Sequence, residues 1–292
     1  MSKMEENRKI IITSDSTADL DYLFEQNNIP IVPLSVILGD RTGRDGIEIQ
    51  PETIYQYYAT TKKTPKTAAV SPEEYYEFFK KLIADGSEVI HFTISSKMSS
   101  CYDNACTAAS ECGSVRVVDS RSLSTGIGLQ VLYAQKLASN GLSSAQIYEK
   151  IIKRRDDIQA SFVVDTMEFL YKGGRCNGLI AFVASVLKIK PQILVNALSG
   201  EMEVGKKYIG KTAVAISKYV AETLTKYPNL DDSCVFITHT SAPKEVVEKT
   251  REMILNAFPS ATIYETIAGS TITSHCGKGT LGILFYKNKY IF

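Results

Sequence analysis

The side chains best suited to acid–base or nucleophilic chemistry follow runs of apolar residues that indicate buried strands. Asp15 and Ser16 follow the first such run, and Ser96 follows a later one. His275 lies in a polar, glycine-punctuated segment, 271–279, which we expect to be a loop, where function concentrates. A serine hydrolase is one chemistry that these residues could perform. The chain contains no G-x-S-x-G nucleophile elbow, however, and serine-rich strand ends more often bind a ligand than attack one.

The remaining histidines and the cysteines do not predict a metal site. His91 lies within an apolar strand and is expected in the core, whereas His239 follows a strand and is either a strand-end site or a loop residue. No two histidines have ligand spacing on one element, and the cysteines form no CxxC pair. We expect reduced thiols. The six cysteines are Cys101, Cys106, Cys112, Cys176, Cys234 and Cys276.

Two glycine-containing segments resemble phosphate-binding loops but have the wrong spacing. The segment 277–280 lacks the earlier glycine of a P-loop and has an extra glycine between Lys278 and Thr280. The segment 126–128 follows no strand and lacks the third glycine of a dinucleotide fingerprint. Neither segment predicts a nucleotide cofactor.

Seven segments resemble, in the same order, those of the DegV family. The first is Asp-Ser-Thr-Ala-Asp-Leu after the first strand, and the resemblance covers nearly the whole chain. Motifs that are colinear over this length are specific for a family and less specific for a ligand. The segments are 15–20, 67–72, 94–102, 118–120, 165–175, 188–194 and the His275 segment before 280–282.

The resemblance implies a two-domain lipid-binding protein that buries one long-chain fatty acid and uses no cofactor. Such a protein is not itself an enzyme: it presents the carboxylate to a separate fatty acid kinase subunit, which makes the acyl phosphate. The family's carboxylate-binding Thr, Ser and His fall on Thr67, Ser96 and His275. The Arg of its G-G-R segment, which the family uses for docking its partner, falls on Arg175.

The physical chemistry of a buried fatty acid fits these roles. A chain of more than about ten methylenes gains on the order of 10 kcal/mol on burial, at about 0.8 kcal/mol per methylene. Its carboxylate must then be hydrogen-bonded, and Thr67, Ser96 and His275 can all donate. A protonated His275 would add a charge-assisted bond and make the affinity depend on pH. Asp15 and Ser16 are expected to contribute through the loop that they open.

Three departures from the family pattern surround the predicted site. Ala68-Ala69-Val70 replaces Ser-Gln-Pro, Lys97-Met98 replaces Gly-Leu, and Lys278 replaces a proline. These changes keep the hydroxyl groups and the histidine but alter the loops that carry them. Lys97 and Lys278 either add positive potential at the mouth of the site or are solvated.

The order of the predicted elements indicates an α/β protein of two domains. Strands and helices alternate as far as residue 160, which predicts a parallel sheet covered on both faces. Within this part we predict one strand over 31–38 and a helix over 147–158. A predicted hairpin around Ser199-Gly200 indicates a mixed sheet in the second part. We therefore predict domains 1–160 and 161–292, with the final segment free to pack back on the first, and a ligand cleft between them.

Helix starts can also be predicted from local sequence. Ser71-Pro72-Glu73-Glu74 and Ser143-Ser144-Ala145-Gln146 each place Ser at the N-cap and Glu or Gln three residues later. We expect both to form capping boxes.

The composition excludes several classes of partner. The 292 residues carry 33 Lys and Arg against 32 Asp and Glu, a formal charge of +1. A nucleic-acid or anionic-membrane binder would show a basic excess. The charged N-terminal residues do not resemble a signal peptide, and the apolar stretch 179–187 is too short to span a bilayer. We therefore expect a cytoplasmic protein without an integral membrane segment.

Two other functions stay open at this stage. One is a Ser/His hydrolase or acyltransferase that uses Ser96, or Ser16, with His275. The other is a regulatory module whose partner surface is its purpose, with a lipid that only fills the core.

Overall fold

Four parallel strands form the first sheet of the computed structural model, which describes residues 8–175 and 189–288. They lie in the order β2-β1-β6-β7, and all neighbours are parallel. The predicted N-terminal parallel sheet is therefore confirmed. The strands are β1 (Ile10–Asp15), β2 (Ile31–Val32), β6 (Glu88–Thr93) and β7 (Val115–Asp119).

A small antiparallel sheet replaces part of the single strand that we predicted over 31–38. After β2 the chain leaves the parallel sheet, and β3 (Ser35–Leu38) pairs with β4 (Arg41–Arg44) and β5 (Lys66–Ala68). Pro33 lies at the break and has no N–H to donate to a strand ladder, which explains why the strand is interrupted there. The pattern did not predict β5, which is only three residues long.

Six helices belong to the N-terminal part, and two of them begin as predicted. Ser71 and Glu74 form one capping box, and Ser143 and Gln146 form the other. The helix predicted over 147–158 is wrong at its end, since a 3₁₀ turn follows residue 154 and a strand begins at residue 158. The helices are α1 (Tyr22–Gln26), α2 (Pro51–Thr61), α3 (Pro72–Leu82), α4 (Cys101–Cys112), α5 (Thr125–Ser139) and α6 (Ser144–Arg154).

A six-stranded mixed sheet forms the second part, as predicted. Its order is β10-β9-β8-β13-β11-β12, in which only β11 and β12 are parallel neighbours. β9 and β10 form the predicted hairpin around Ser199-Gly200. The strands are β8 (Ile158–Val163), β9 (Ile189–Val195), β10 (Met202–Ile209), β11 (Val235–His239), β12 (Ile263–Ile267) and β13 (Leu281–Tyr286).

The two faces of the mixed sheet pack against different neighbours. Phe236 and Leu284 face the core that the mixed sheet shares with the parallel sheet. Ile237 and Ile283, one residue away on the same strands, belong to the core formed with the helices over 212–226 and 244–257. This alternation follows from the two-residue period of a strand. The helices of this part are α7 (Glu168–Gly173), α8 (Thr212–Lys226), α9 (Lys244–Ala257) and α10 (Ser270–Cys276).

The segment around His275 is the helix α10, and the loop predicted over 271–279 is therefore wrong for residues 271–276. Its Ser, Thr and Ile residues have modest helix propensity, so the local pattern does not favour a helix. The N–H groups of its N-cap and first residue donate to the buried carboxylates of Asp19 and Asp45. Contacts from a distant part of the chain thus supply the cap that the local sequence lacks.

The two parts share one core. Ile12 and Phe92 of the parallel sheet belong to the same buried cluster as Phe236 and Leu284 of the mixed sheet. The predicted boundary after Ala160 falls inside β8, and the division at that residue stays a prediction.

No helix of the described ranges is long and apolar enough to cross a bilayer. No group of three metal-ligating side chains occurs within these ranges, and no disulfide joins their cysteines. The predicted segments around Cys176 and 179–187, and Lys188 of the 188–194 motif, lie outside the described residues.

A buried ion pair joins the end of α6 to the segment before β11. Nη2 of Arg154, at the end of α6, lies 2.5 Å from Oδ2 of Asp231. The guanidinium carbon lies 3.9 Å from the ring centroid of Tyr286 on β13 and 4.3 Å from that of Tyr133 on α5. The Arg154 side chain is only 6% exposed, so it depends on these partners.

We expect Asp231→Ala to lower the free energy of unfolding by about 3–5 kcal/mol, because the change leaves a buried guanidinium without its counter-ion. Urea denaturation measures this loss. Lys206→Ala, which breaks the exposed pair with Glu222, is the control and should cost less than about 1 kcal/mol. Equal losses for the two variants would contradict the structural role of the buried pair.

Candidate functional site

Two of the predicted site residues meet although they are far apart in the sequence. Thr67 lies on β5, opposite Val36 of β3, and His275 lies on the last turn of α10. Thr67 Oγ1 and His275 Nε2 are 2.8 Å apart and share a hydrogen bond. The fold thus brings a hydroxyl group and an imidazole together in a half-buried position.

The Thr67–His275 pair lies at the wall of a narrow cavity of about 50 Å³. Ser99, Thr271 and Arg175 add polar groups to the same wall. The remaining lining is mostly apolar. It includes Leu34, Ile94, Met98, Leu123, Leu170 and Ile272.

A second cavity, of about 20 Å³, lies beside the first. Leu123, Ile272 and Cys276 line both cavities and therefore form the partition between them. The far walls of the second cavity include Phe162 and Leu284, on neighbouring strands of the mixed sheet. The two cavities together follow a path from the Thr67–His275 pair towards the core between the sheets.

Burial keeps His275 neutral. Burial, and to a smaller extent the positive charge of Arg175, lower the pKa of His275 to about 4. The imidazole is therefore uncharged at neutral pH, and a single proton sits on one of its two nitrogens. A charge-assisted bond from protonated His275 to a carboxylate therefore forms only if the ligand raises the pKa of the imidazole again.

The second ring nitrogen of His275 has no hydrogen-bond partner among the described residues. If the proton is on Nε2, it points at Thr67 and leaves the threonine hydroxyl free to donate to a ligand. If the proton is on Nδ1, Thr67 donates to the imidazole instead. The tautomer of His275 therefore decides whether the threonine can bind an anion.

Gly173, at the end of α7, packs directly on the unpartnered side of the imidazole. A Cβ at this position would lie 2.4 Å from His275 Nδ1, well inside contact distance. The missing side chain of Gly173 therefore sets how closely α7 approaches the histidine, and sequence motifs alone did not reveal this contact.

Arg175 lies at the rim of the first cavity. Its Nη1 donates to the carbonyl of Gly173 at 2.5 Å, and its Nε donates to the carbonyl of Met98 at 3.4 Å. Both bonds are to backbone atoms, so the guanidinium bridges α7 and the loop after β6. Its role in partner docking stays a prediction.

Ser96 lies away from the Thr67–His275 pair. Its hydroxyl donates to Asp119 Oδ2 at 2.7 Å, its N–H donates to Oδ1 of the same carboxylate, and it does not line the first cavity. Ser99, three residues later, does line it, and its Oγ also accepts a hydrogen bond from the N–H of Cys101. The assignment of Ser96 to the carboxylate stays a prediction. Ser99 lines the cavity, and sequence reasoning did not single it out. Its position just before a helix start was the available signal.

The geometry does not pair Ser96 or Ser16 with His275 for nucleophilic attack. A nucleophile and its base must lie within hydrogen-bond reach of each other. Ser96 instead bonds Asp119, and His275 bonds Thr67. Ser16 donates to Asp45. These partners favour a binding role over a hydrolase.

Asp15 and Ser16 are buried and contribute hydrogen bonds to the frame of the site rather than to its wall. Asp15 accepts from the N–H of Ile94 at 2.9 Å, and Ser16 Oγ accepts from the N–H of Leu34 at 3.2 Å. Ile94 and Leu34 both line the first cavity, whereas Asp15 and Ser16 do not.

Known proteins are similar to this chain in sequence and in fold. The family model of DegV matches residues 9–288. A DegV domain-containing protein of Clostridium perfringens, CPE1310, is 33% identical over 205 residues, which cover 69% of this chain and 73% of the relative.

Solved structures agree with this match. A DegV family protein from Thermus thermophilus, described for its fatty acid binding, is 28% identical with a TM-score of 0.87 over 95% of this chain and 99% of that chain. DegV of Bacillus subtilis, described as a fatty acid binding protein, is 25% identical with a TM-score of 0.81 over 96% and 99% of the two chains. This chain therefore belongs to the DegV family.

Proposed function

We propose that this protein binds one long-chain fatty acid, with its carboxylate at the Thr67–His275 pair and its acyl chain in the adjoining cavities. The observation that carries the proposal is this polar pair at the wall of an otherwise apolar cavity. The fatty acid binding described for the Thermus thermophilus and Bacillus subtilis proteins supports it.

The carboxylate end of the site offers several donors. With its proton on Nε2, His275 donates to Thr67, and the threonine hydroxyl then donates to the ligand. Ser99 adds a second hydroxyl group, and Arg175 adds positive charge at the rim. An anion is the ligand that such a set of donors satisfies, since a buried carboxylate without hydrogen bonds is very unfavourable.

The acyl chain would extend from this end past Leu123 and Ile272. Pockets for ligands of this kind usually measure about 300–1,000 Å³, far more than the two cavities of about 50 and 20 Å³. Binding must therefore move the apolar side chains that separate the cavities. Burial of the methylenes, at about 0.8 kcal/mol each, supplies the free energy for this movement.

The protein would act as a carrier, and a separate kinase would form the acyl phosphate. The serines considered as nucleophiles, Ser16 and Ser96, are hydrogen-bonded to aspartates, and His275 is hydrogen-bonded to Thr67 and not to either serine. Carboxylate activation is therefore assigned to a partner. Arg175 lies at the rim, where a partner could reach it.

Purified protein should contain extractable long-chain fatty acid, detected by mass spectrometry, and should bind oleate or palmitate in a calorimetric titration. Thr67→Val keeps the shape but removes the hydroxyl, and we expect it to weaken binding about 10- to 100-fold, since a hydrogen bond to a charged group contributes about 1.5–3 kcal/mol. Thr225→Val, on an exposed face of α8, is the matched control and should bind like the wild type.

No fatty acid in the extract together with no binding in the titration would refute the proposed function. Ser96→Ala and Ser99→Ala, measured in the same way, decide which serine serves the carboxylate. The structure favours a larger loss for Ser99→Ala, because only Ser99 lines the cavity.

Gly173→Ala should also weaken fatty acid binding, by at least about tenfold, because its Cβ would displace the imidazole of His275 from the position in which it bonds Thr67. Calorimetric titration with oleate measures the loss. Lys172→Ala, on the same helix but exposed, is the control and should bind normally. Wild-type affinity in Gly173→Ala would mean that the position of the imidazole does not govern binding.

For the kinase step, we expect Arg175→Ala to abolish acyl phosphate formation in a reconstituted assay while the bound fatty acid stays at the wild-type level. Arg251→Ala, on α9, is the control and should support the reaction. Loss of the bound lipid in Arg175→Ala would instead assign Arg175 to the ligand site.

A further inference from the structure

Four buried polar residues lie beside the site but line neither of its two cavities. We call Asp15, Ser16, Asp19 and Asp45 the aspartate hub. All four are at most 9% exposed, and none lines the first cavity. Asp15 is the last residue of β1, Ser16 and Asp19 follow that strand, and Asp45 follows β4.

We propose that the aspartate hub is a positioning device that holds three separate walls of the fatty acid site in register, and that Asp19 and Asp45 orient His275 by fixing the start of α10. The inference rests on the proposed function for its ligand, but its structural part concerns the protein without a ligand.

Two aspartates of the hub hold the first residues of α10. Asp19 Oδ1 accepts from the N–H of Gly269 at 2.9 Å, and Asp45 Oδ1 accepts from the N–H of Ser270 at 2.7 Å. Gly269 is the N-cap and has no side chain to perform this task. Carboxylates at a helix N-terminus also stabilise the helix dipole. Asp19 and Asp45 therefore determine where α10 begins.

The position of the α10 N-terminus affects the site, because residues of this helix line the first cavity. α10 is only seven residues long, so its direction is set by its first turn. Thr271, Ile272, His275 and Cys276 all line the first cavity. A shift at the two carboxylates would therefore move the imidazole relative to Thr67.

The hub also holds the parts of the cavity wall at Leu34 and Ile94. Ser16 joins Asp45 to β3 and its approach, because its Oγ donates to Asp45 Oδ2 at 2.8 Å and accepts from the N–H of Leu34. Asp15 accepts from the N–H of Ile94, after β6. Hydrogen bonds from hub residues therefore reach three segments of the cavity wall: Leu34, Ile94 and the start of α10.

A cluster of three aspartates could alternatively bind a cation. The four carboxylate oxygens of Asp19 and Asp45 each accept a hydrogen bond from the chain: Ser124 Oγ and Ser16 Oγ donate to one oxygen of each residue, and backbone N–H groups donate to the other. These donors orient the carboxylates inward. Positioning accounts for all of them without a ligand.

Burial has a measurable consequence for the hub. Burial raises the pKa of Asp15 to about 6 and raises the pKa values of Asp19 and Asp45. A raised pKa means that burial disfavours the charged form of these carboxyl groups, so we expect a neutral replacement of the same shape to be tolerated. A loss of binding without a loss of stability is therefore the expected signature of positioning.

The test compares Asp45→Asn and Asp19→Asn with the wild type. We expect oleate affinity to fall at least about tenfold, as a misplaced group at a site can cost about a hundredfold. We also expect the ¹⁵N and ¹H signals of the His275 ring to shift in ligand-free protein. The chain has only three histidines, so these signals can be assigned by single substitutions.

Asp231→Asn is the matched control, because Asp231 is also buried but pairs with Arg154, and neither residue lines the first cavity. It should lower stability in urea and leave both affinity and the His275 signals unchanged. Ser16→Ala removes two hydrogen bonds of the hub but keeps the carboxylates, so it serves if an aspartate variant does not fold, and it should show the same two effects at smaller size.

Unmoved His275 signals in the hub variants would overturn the positioning role, as would an affinity loss no greater than that of Asp231→Asn. If the wild type binds no fatty acid, the proposed function fails, while the His275 signals still decide whether the hub orients α10. The two failures are therefore distinguishable.

Discussion

The hydrogen bond between Thr67 and His275 is the constraint on which the site depends. It joins residues 208 positions apart, and neither partner is placed by its own neighbours in sequence. Thr67 is held because the short strand β5 pairs with β3, and His275 is held because α10 starts at two buried carboxylates. Desolvation then keeps the imidazole neutral, so that its single proton fixes the direction of the bond. The pair thus converts long-range packing into a defined set of donors.

Local sequence was sufficient wherever neighbouring residues decide the structure. The capping boxes at Ser71 and Ser143 form as predicted because both partners lie within four residues of each other. The alternation of strands and helices predicted the parallel sheet, and Ser199-Gly200 indicated the hairpin of the mixed sheet. These features follow from periodicity and turn chemistry, which a single sequence displays directly.

Features that depend on distant contacts could not be predicted in this way. α10 contains residues of modest helix propensity, and its cap comes from Asp19 and Asp45 some 250 and 225 positions away. The contact of Gly173 with His275 and the choice of Ser99 over Ser96 at the cavity wall depend likewise on packing. The family resemblance supplied Thr67 and His275 as candidates, but only the fold shows that they meet.

The two ends of the proposed site are built on different physical principles. Around the carboxylate end, hydrogen bonds of fixed length and direction join Thr67 to His275 and Ser16 to Asp45 of the hub, so a displaced head group loses partners at once. Along the acyl end, the partition of Leu123, Ile272 and Cys276 presents mainly apolar surface and depends on packing. Packing adapts to changes in shape at modest cost, whereas hydrogen-bond geometry does not. Selection of a carboxylate should therefore be strict, and selection among acyl chains should depend on how far these apolar side chains can move.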